Sequence, residues 1–278
     1  MTETNNAALR PAAERPTSSQ ESLPKPLRKI GNYYRRNIGK MMFRRPIAIE
    51  TERPLISFSF DDFPRTALLN GGRILAKHGA AGTYYTSLGL LGMDGPSGPH
   101  FTRKDLDAVL AEGHELGCHT FAHLHSWDTR TGDFENSVIE NRNALAKLVP
   151  GAEFRTFSFP IAEPRPLTKR KTARHFLCCR GGGQTLNSGT ADRDRLSAFF
   201  LEKSRDNIDA VKRLIDRNRI ERGWLIFATH DVAENPGPYG CTPRFFEDVV
   251  EYAVQSGAAI LPVTEALRVL QDGEPEDE

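Results

Sequence analysis

Residues 55–64 read LISFSFDDFP, and the interpretation of the whole chain starts from this stretch. An apolar run that begins at Leu55 and stops at a turn signal, Pro64, predicts a buried β-strand. Neighbouring side chains on a strand point to opposite faces, so Asp61 and Asp62 can share a site only where the strand ends and the backbone turns. Pro64 favours such a turn. The two carboxylates therefore form either a solvated surface turn or part of a site, and the remaining sequence distinguishes between these alternatives.

The bulk composition is that of a globular protein. The chain has 278 residues, of which 38% are hydrophobic and 26% are charged, and its net charge is +1. This length allows one large domain or two small ones with a sizeable core. The near-neutral charge gives no reason to expect a nucleic-acid partner. Four cysteines without a CxxC pair are typical of reduced thiols in a cytoplasmic protein.

The two ends of the chain differ in character from its middle, and three regions are predicted. Residues 1–50 form a disordered and basic N-terminal arm, residues 51–271 a folded domain and residues 272–278 an acidic tail. Within the arm, the polar residues 1–24 predict disorder, whereas residues 25–45 contain eight Lys and Arg residues and no acidic residue. The sequence shows no apolar run of about 18 residues and no secretory signal, so we expect a cytoplasmic protein.

Part of the arm has a helical pattern. Four apolar residues share one helical face: Ile30, Tyr34, Ile38 and Met41. This face packs on the folded domain, lies on an anionic membrane or contacts an acidic polymer. Packing, or a solvated basic arm, is the commoner outcome and is expected here, with peripheral membrane contact through residues 25–45 as the alternative.

From residue 53 onward, strand-like and helix-like patterns alternate. The predicted strands are 55–60, 82–87, 114–118, 154–159, 175–179, 198–202, 224–229 and 258–261. The predicted helices are 66–78, 103–112, 136–148, 208–219, 243–255 and 264–270. This alternation predicts an α/β fold with a parallel sheet, and about seven or eight βα units fit one (β/α)7–8 barrel better than two domains. An open doubly wound sheet is the alternative, but no GxGxxG follows the first strand.

Titratable groups recur at the predicted strand ends. In a parallel barrel, the chemistry lies at the C-terminal ends of the strands. The residues predicted there are Asp61, Asp62, His119, Pro160, Arg180, His230 and Asp231. Solvated surface turns would not be expected to place titratable residues at the ends of several strands, so a site at this rim is favoured.

The segment GHELGCHTFAHLH, residues 113–125, contains four histidines. His119 and His123 are four residues apart, so one helical turn would place both on the same face. Imidazole and carboxylate ligands suit zinc, and two histidines with one carboxylate leave coordination positions open for catalysis. The pattern therefore predicts a divalent metal site, with Zn²⁺ expected, rather than histidines with local hydrogen bonds. We interpret His114 as structural and leave His125 open.

The segment WLIFATHD, residues 224–231, ends the strongest predicted strand with His230 and Asp231. An imidazole at the rim could protonate a leaving group. The alternative is a capped turn that feeds the Pro- and Gly-rich loop 233–241, which would form one wall of a cleft.

Four motifs together resemble the NodB-type polysaccharide deacetylases, carbohydrate esterase family 4. They are FDD after the first strand, HTxxH after GHELG, a Phe-x-Phe-Pro strand end and IFxTHD late in the chain. The resemblance extends over about residues 53–270. It implies a distorted, incomplete (β/α) barrel in which metal-activated water removes an acetyl group from an N-acetylated saccharide.

The resemblance also implies a role for each matching residue. Three residues match the metal ligands: Asp62, His119 and His123. Asp61 matches the general base and His230 the general acid. The backbone amide of Ile161, after Pro160, matches the oxyanion donor.

The chain departs from the family pattern at three places. Phe63 stands where the family has glycine. Residues 158–162 read SFPIA where Arg-x-Pro-Tyr-Gly is frequent, so the arginine that steadies the base is missing there, and Arg180 at the next strand end is a candidate substitute. The carboxylate that tunes the acid histidine has no clear counterpart; the candidates are Asp192, Asp194 and Asp231.

We therefore expect a metal-dependent enzyme that deacetylates an N-acetylated glycan. The alternatives are an O-acetyl esterase or cyclic-amide hydrolase on the same fold, and a catalytically silent glycan-binding or membrane-associated protein. The lack of a secretory signal conflicts with an extracellular glycan. A membrane-associated precursor would resolve this conflict.

Overall fold

The computed structural model describes residues 31, 33–34, 37–161, 163–205 and 207–272. The predicted disorder of residues 1–24, the position of Ile30 and the acidic tail beyond residue 272 lie outside this part of the chain. Within it, no helix is both long and apolar enough to cross a membrane.

The structure contains twelve strands and eight helices among the described residues. The strands are β1 Pro46–Ile49, β2 Leu55–Asp61, β3 Thr83–Thr86, β4 Asp94–Gly95, β5 Gly98–Pro99, β6 Glu115–Cys118, β7 Thr156–Ser158, β8 Cys178–Arg180, β9 Gly189–Asp192, β10 Phe199–Phe200, β11 Trp224–Thr229 and β12 Ala259–Ile260. The helices are α1, with helical positions 31, 33–34 and 37–41, α2 Arg73–Lys77, α3 Arg103–Ala111, α4 Thr131–Leu148, α5 Pro166–Thr172, α6 Ile208–Glu221, α7 Pro243–Gln255 and α8 Val263–Asp272. Short helical turns, including a π-helical stretch at Ala67–Gly72, complete the connections.

A curled parallel sheet forms the body of the molecule. Its strand order is β10-β11-β2-β3-β6-β7-β8, and β12 also pairs with β2. An isolated parallel bridge between Arg180 and Leu196 links β8 to the segment that leads into β10. The predicted distorted, incomplete (β/α) barrel is therefore confirmed, and the C-terminal ends of its parallel strands share one rim.

Strand β2 separates two apolar cores. Alternate residues such as Phe58 and Phe60 belong to the outer core, between the sheet and its covering helices. The intervening positions face the barrel interior, where Leu55 packs with Trp224 and Ile226. Every residue of β2 is buried, as expected for a parallel strand covered on both faces. The same alternation places Asp61, at the end of β2, on the interior side.

The N-terminal region departs from the predicted domain boundaries. Residues 46–49, which the sequence pattern placed in the arm, form β1 and pair antiparallel with β9. Helix α1 packs on the barrel, but not through the predicted apolar face, because Tyr34 and Met41 are exposed. Instead the buried Lys169 Nζ donates hydrogen bonds to the carbonyls of Gly39 and Met42, both at 2.9 Å.

Most predicted elements are present with shifted ends, and three differ in kind. The strand predicted at 175–179 begins only at Cys178, because residues 173–175 form a helical turn. The strand predicted at 198–202 is reduced to the two residues of β10, which a helical turn follows. Helix α5 was not predicted, since its sequence PLTKRKT has no apolar periodicity.

Candidate metal centre and active site

The two adjacent carboxylates reach one site because the backbone turns left-handed directly after β2. Asp61 is the last residue of β2, and the next two residues, Asp62 and Phe63, have φ angles of +62° and +53°. Non-glycine residues in this region are uncommon, and they cluster at functional sites. The turn signal read from the sequence is therefore confirmed, although Pro64 lies one residue beyond the left-handed pair.

Asp62 converges with two histidines from the end of β6. Its Oδ1 lies 3.1 Å from His123 Nε2 and 3.5 Å from His119 Nε2. The three ligand atoms lie within 4.8 Å of one another. His119 Nδ1 lies 2.7 Å from the carbonyl oxygen of Ser158, which can only accept, so Nδ1 carries the hydrogen and Nε2 keeps its lone pair toward Asp62.

The two histidines meet through a loop rather than through the predicted helical turn. Thr120 and His123 both have positive φ angles, +61° and +50°. The Oγ1 of Thr120 accepts a hydrogen bond from the amide of Leu124 at 3.0 Å. This loop brings His123 back toward His119, so the predicted pair is correct although the predicted local geometry is wrong.

The residues present fit a divalent metal ion. Asp62 Oδ1 is buried and lies 3.1 Å from His123 Nε2. Burial alone would raise the pKa of Asp62, but the three imidazoles of His123, His119 and His230 hold it well below its usual range. Burial lowers the pKa of His119 to about 4, so its imidazole is neutral and able to ligate. An ionised carboxylate together with two imidazole nitrogens is a ligand set that suits zinc.

The other two histidines of the cluster lie outside this set. His114 accepts a hydrogen bond from the amide of Gly82 at 3.0 Å, in agreement with its structural interpretation. The exposed side of the loop carries His125, which pairs with Asp128 at 2.5 Å.

Asp61 is held by Arg180. The buried guanidinium at the end of β8 forms an ion pair with Asp61 Oδ1, and Ser158 Oγ lies 3.5 Å from the same oxygen. The guanidinium carbon also lies 4.9 Å from the ring centroid of Tyr85. The structure thus places the candidate substitute arginine directly on the candidate base, with one carboxylate oxygen engaged.

His230 approaches the centre from the opposite side, at the end of β11. Its Nε2 lies 3.7 Å from Asp62 Oδ2, and its ring packs 5.1 Å from that of Tyr239. Its Nδ1 is buried without a hydrogen-bond partner among the described residues. His230 and the Asp62 group therefore flank a common space.

Each of the three carboxylates proposed to tune His230 is bound to another group. Asp192 and Asp194 pair with Lys169 and Arg45, and Asp231 accepts from the amide of Gly237 at 2.7 Å.

Glu202 is the carboxylate that the sequence reasoning missed. It lies in the helical turn that directly follows β10, Leu201–Ser204, close enough to His230 for the two groups to interact electrostatically. Burial raises the pKa of Glu202, and the charge of His230 acts in the opposite direction. Glu202 ends the predicted strand 198–202, so the rule of strand ends could have found it, although the observed strand stops at Phe200.

Pro160 and Ile161 lie at the same rim, directly after β7. Ile161 has a φ angle of +59° and a side chain that is 60% exposed. The backbone therefore turns sharply where the oxyanion donor is predicted. The role itself stays a prediction.

Comparisons with known proteins identify a related family. A family model described as polysaccharide deacetylase matches residues 48–176, which include Asp61, Asp62, His119 and His123. No curated protein matches the chain. The family match confirms the resemblance to the NodB-type polysaccharide deacetylases that the four motifs indicated, and it supports a hydrolase of the deacetylase and esterase class.

Solved structures share the fold at low sequence identity. A family 4 acetyl xylan esterase from Clostridium thermocellum, in complex with a cobalt ion, is 19% identical, with a TM-score of 0.54 over 80% of this chain and 94% of that chain. The Xyl-CE4 domain of a multidomain xylanase from the hindgut metagenome of Trinervitermes trinervoides is 16% identical, with a TM-score of 0.54 over 82% and 95%. Peptidoglycan deacetylase PdaC from Bacillus subtilis is 13% identical, with a TM-score of 0.52 over 80% and 94%. At these identities the likeness shows the common fold.

Proposed function

We propose that this chain is a divalent-metal-dependent hydrolase that removes N-acetyl groups from a saccharide or polysaccharide. The observation that carries the proposal is the convergence of Asp62, His119 and His123, with Asp61 and His230 beside them. The family match to polysaccharide deacetylases and the cobalt ion of the Clostridium thermocellum structure support it.

Asp62, His119 and His123 would hold the metal. When bound, a divalent ion would lower the pKa of water and polarise the acetyl carbonyl. We propose zinc as the native ion, because two imidazoles and one carboxylate with open positions are typical of catalytic zinc sites.

Two side chains on different sides of the site then carry out the two proton transfers, Asp61 as the base and His230 as the acid. Asp61 accepts a proton as water attacks the acetyl carbon, and Arg180 holds this carboxylate in place. The backbone N–H of Ile161 donates to the oxygen of the tetrahedral intermediate, an interaction worth on the order of 3 kcal/mol. As the carbon–nitrogen bond breaks, His230 Nε2 donates a proton to the amine, and acetate and the free amino sugar leave.

Acetate release and metal content test the proposal together. The full chain, loaded with Zn²⁺ or Co²⁺, is expected to bind about one metal ion at this centre and to release acetate from N-acetylglucosamine oligomers. Asp61→Asn should abolish release and retain the metal, whereas His119→Ala should lose both. His125→Ala is the matched control, since this histidine lies on the same loop outside the ligand set, and it should retain both.

The same screen separates the alternatives. Acetate release that persists unchanged in His119→Ala would contradict the metal mechanism, and a chain that binds no metal would support a silent binding protein. An O-acetylated xylan tests the esterase alternative, because an alkoxide leaving group depends less on the acid than an amine does. His230→Asn should therefore reduce N-acetyl hydrolysis more than O-acetyl hydrolysis.

A further inference from the structure

Helix α1 lies at the rim that carries the candidate metal centre. Gly39 approaches the loop after β7 so closely that a Cβ atom there would lie 2.6 Å from the carbonyl oxygen of Pro164. Tyr34 packs edge-on against Trp127, in the loop after β6, with ring centroids 6.2 Å apart. Both loops leave the C-terminal ends of parallel strands, so α1 contacts the end of the barrel at which Asp62 lies.

The C-terminal end of α1 is fixed to the barrel by buried charges. The fully buried Lys169 Nζ donates to the carbonyls of Gly39 and Met42 and forms an ion pair with Asp192. Immediately after the helix, the amide of Arg45 donates to Asp192 Oδ1 at 3.1 Å. The orientation of the helix on the rim is therefore set in large part by its carbonyl end, and several of its large side chains stay exposed.

The exposed side of α1 combines large apolar groups with cations. Four large apolar side chains within ten positions are exposed: Tyr33, Tyr34, Met41 and Met42, with Tyr33 at 72% and Met41 at 75%. Lys40 and Arg44 are exposed beside them. Apolar side chains grouped on a surface mark interaction sites, and the sequence from residue 25 to residue 45 has eight cations and no acidic residue.

We propose that residues 33–34 and 37–44 form a docking surface for a membrane that contains anionic phospholipid. Aromatic and methionine side chains suit the boundary between head groups and acyl chains, and neighbouring Lys and Arg side chains suit anionic head groups. Each cation near such a surface strengthens membrane partitioning by about fivefold. A neutral glycan or a second copy of this near-neutral chain would give no reason for the uniform positive charge.

Docking in this way would place the end of the barrel that carries the candidate metal centre next to the bilayer. This consequence rests on the proposed function: the preferred substrate would be an N-acetylated saccharide carried on a lipid at the membrane surface. The docking surface itself is independent of catalysis, because none of its residues belongs to the candidate metal centre or the proton-transfer groups.

Vesicle co-sedimentation of the full chain tests the surface. We expect binding to vesicles of phosphatidylglycerol and phosphatidylcholine in equal parts, little binding to phosphatidylcholine alone, and loss of binding at high salt. Lys40→Glu combined with Arg44→Glu should weaken partitioning at least about tenfold, and Tyr33→Ser combined with Met41→Ser should also weaken it. The matched controls are Lys104→Glu with Lys147→Glu, exposed cations elsewhere, and Ile220→Ser, an apolar side chain that is 78% exposed on α6. They should bind like the parent.

Acetate release from a soluble N-acetylglucosamine oligomer is measured on the same variants. Unchanged release with weakened vesicle binding supports the docking surface, whereas absence of release in every variant refutes the proposed function and leaves the docking result standing. Equal binding to both vesicle types, or equal binding by the Lys40/Arg44 variant and its control, would overturn the docking proposal. So would a dimer in solution that Tyr33→Ser with Met41→Ser dissociates, because the occupant would then be a second copy.

Discussion

Phe63 combines a left-handed backbone with a buried ring. Its φ angle is +53°, a conformation that favours glycine, yet its ring is fully buried and stacks on Phe101 with centroids 5.0 Å apart. Tyr84 packs against the same ring at 4.8 Å. The side chain that stands in place of the family's glycine is therefore part of the core. The packing of its ring offsets the strain of the turn.

Replacement of Phe63 separates the contribution of ring packing from the strain of the left-handed backbone. Phe63→Gly should lower the free energy of unfolding by about 2–4 kcal/mol, because the lost ring packing exceeds the relief of backbone strain. Phe63→Ala removes the same ring but keeps a Cβ atom, so it should be no more stable than the glycine variant. Urea unfolding of the three proteins measures both differences. A glycine variant more stable than the parent would contradict this account.

We expect the ion pair between Arg180 and Asp61 to contribute to both stability and the proposed catalysis. Arg180→Met should cost about 3–5 kcal/mol of stability, because it leaves a buried carboxylate without its partner. Release of acetate should also fall about 100-fold, since a base displaced by about 1 Å loses its alignment with the attacking water. Thermal unfolding and acetate release of the variant measure the two effects.

A double-mutant cycle distinguishes positioning from general damage. Asp61→Asn combined with Arg180→Met should be less destabilised than the sum of the single variants, because the uncompensated charge is gone. Arg180→Lys should recover part of the stability, since it restores the charge without the fork of the guanidinium. Additive losses in the cycle would show that Arg180 acts through packing alone.

At the level of the elements, hydrophobic periodicity predicted the long, regular segments and failed for those fixed by distant partners. Strands β2 and β11 and helix α7 have clear apolar patterns and lie where they were expected. Strand β1 is only four residues long, and its partner β9 lies about 140 residues away, so no local pattern marks the pair. The sequence of helix α5 has the pattern of a charged surface segment, and nothing in it shows that Lys169 is buried among partners distant in the chain.

Lys169 therefore links three elements: α5, which carries it, β9, which supplies Asp192, and α1, whose carbonyls it binds. Lys169→Met should destabilise the chain by about 3–5 kcal/mol, because Asp192 loses its buried partner. Hydrogen exchange at residues 37–42 should accelerate more than exchange in β2, since α1 loses its attachment to the barrel. Mass-spectrometric exchange measures both regions in one experiment.

A compensated variant provides the control. Lys169→Met with Asp192→Asn removes both charges, so it should recover part of the global stability while exchange in α1 stays fast. If exchange at residues 37–42 returned to the parent rate, the carbonyl contacts of Lys169 would not be what holds the helix.

At the scale of the whole molecule, the site could be predicted because of one topological rule. Residues as distant in the chain as Asp61 and Arg180 meet since parallel strands end at one edge. The rule predicts at which edge of the sheet the residues lie, but not the conformation of the loops. The left-handed loop that brings His119 and His123 together could therefore not be predicted. The position of Glu202 likewise depends on a connecting segment, because the residue lies in the helical turn that follows β10.

Metal binding should stabilise the whole fold, since the three ligands join the end of β2 to the loop after β6. A metal present at about 100 times its dissociation constant adds about 2.7 kcal/mol to the free energy of unfolding. For a domain of this size, that is a rise in melting temperature of roughly 5–10 °C, which a chelator should reverse. Asp62→Asn should abolish the rise and His125→Ala should preserve it.

A second group of side chains, His78, Glu247 and Glu251, is also close enough to hold an ion, but Lys77 already pairs with Glu247 at 2.8 Å. Glu251→Gln should therefore leave the rise unchanged. If Glu251→Gln abolished the rise in melting temperature instead, the stabilising ion would lie between α2 and α7. Metal binding at the rim would then have to be tested by measuring the metal content of the Asp62→Asn variant.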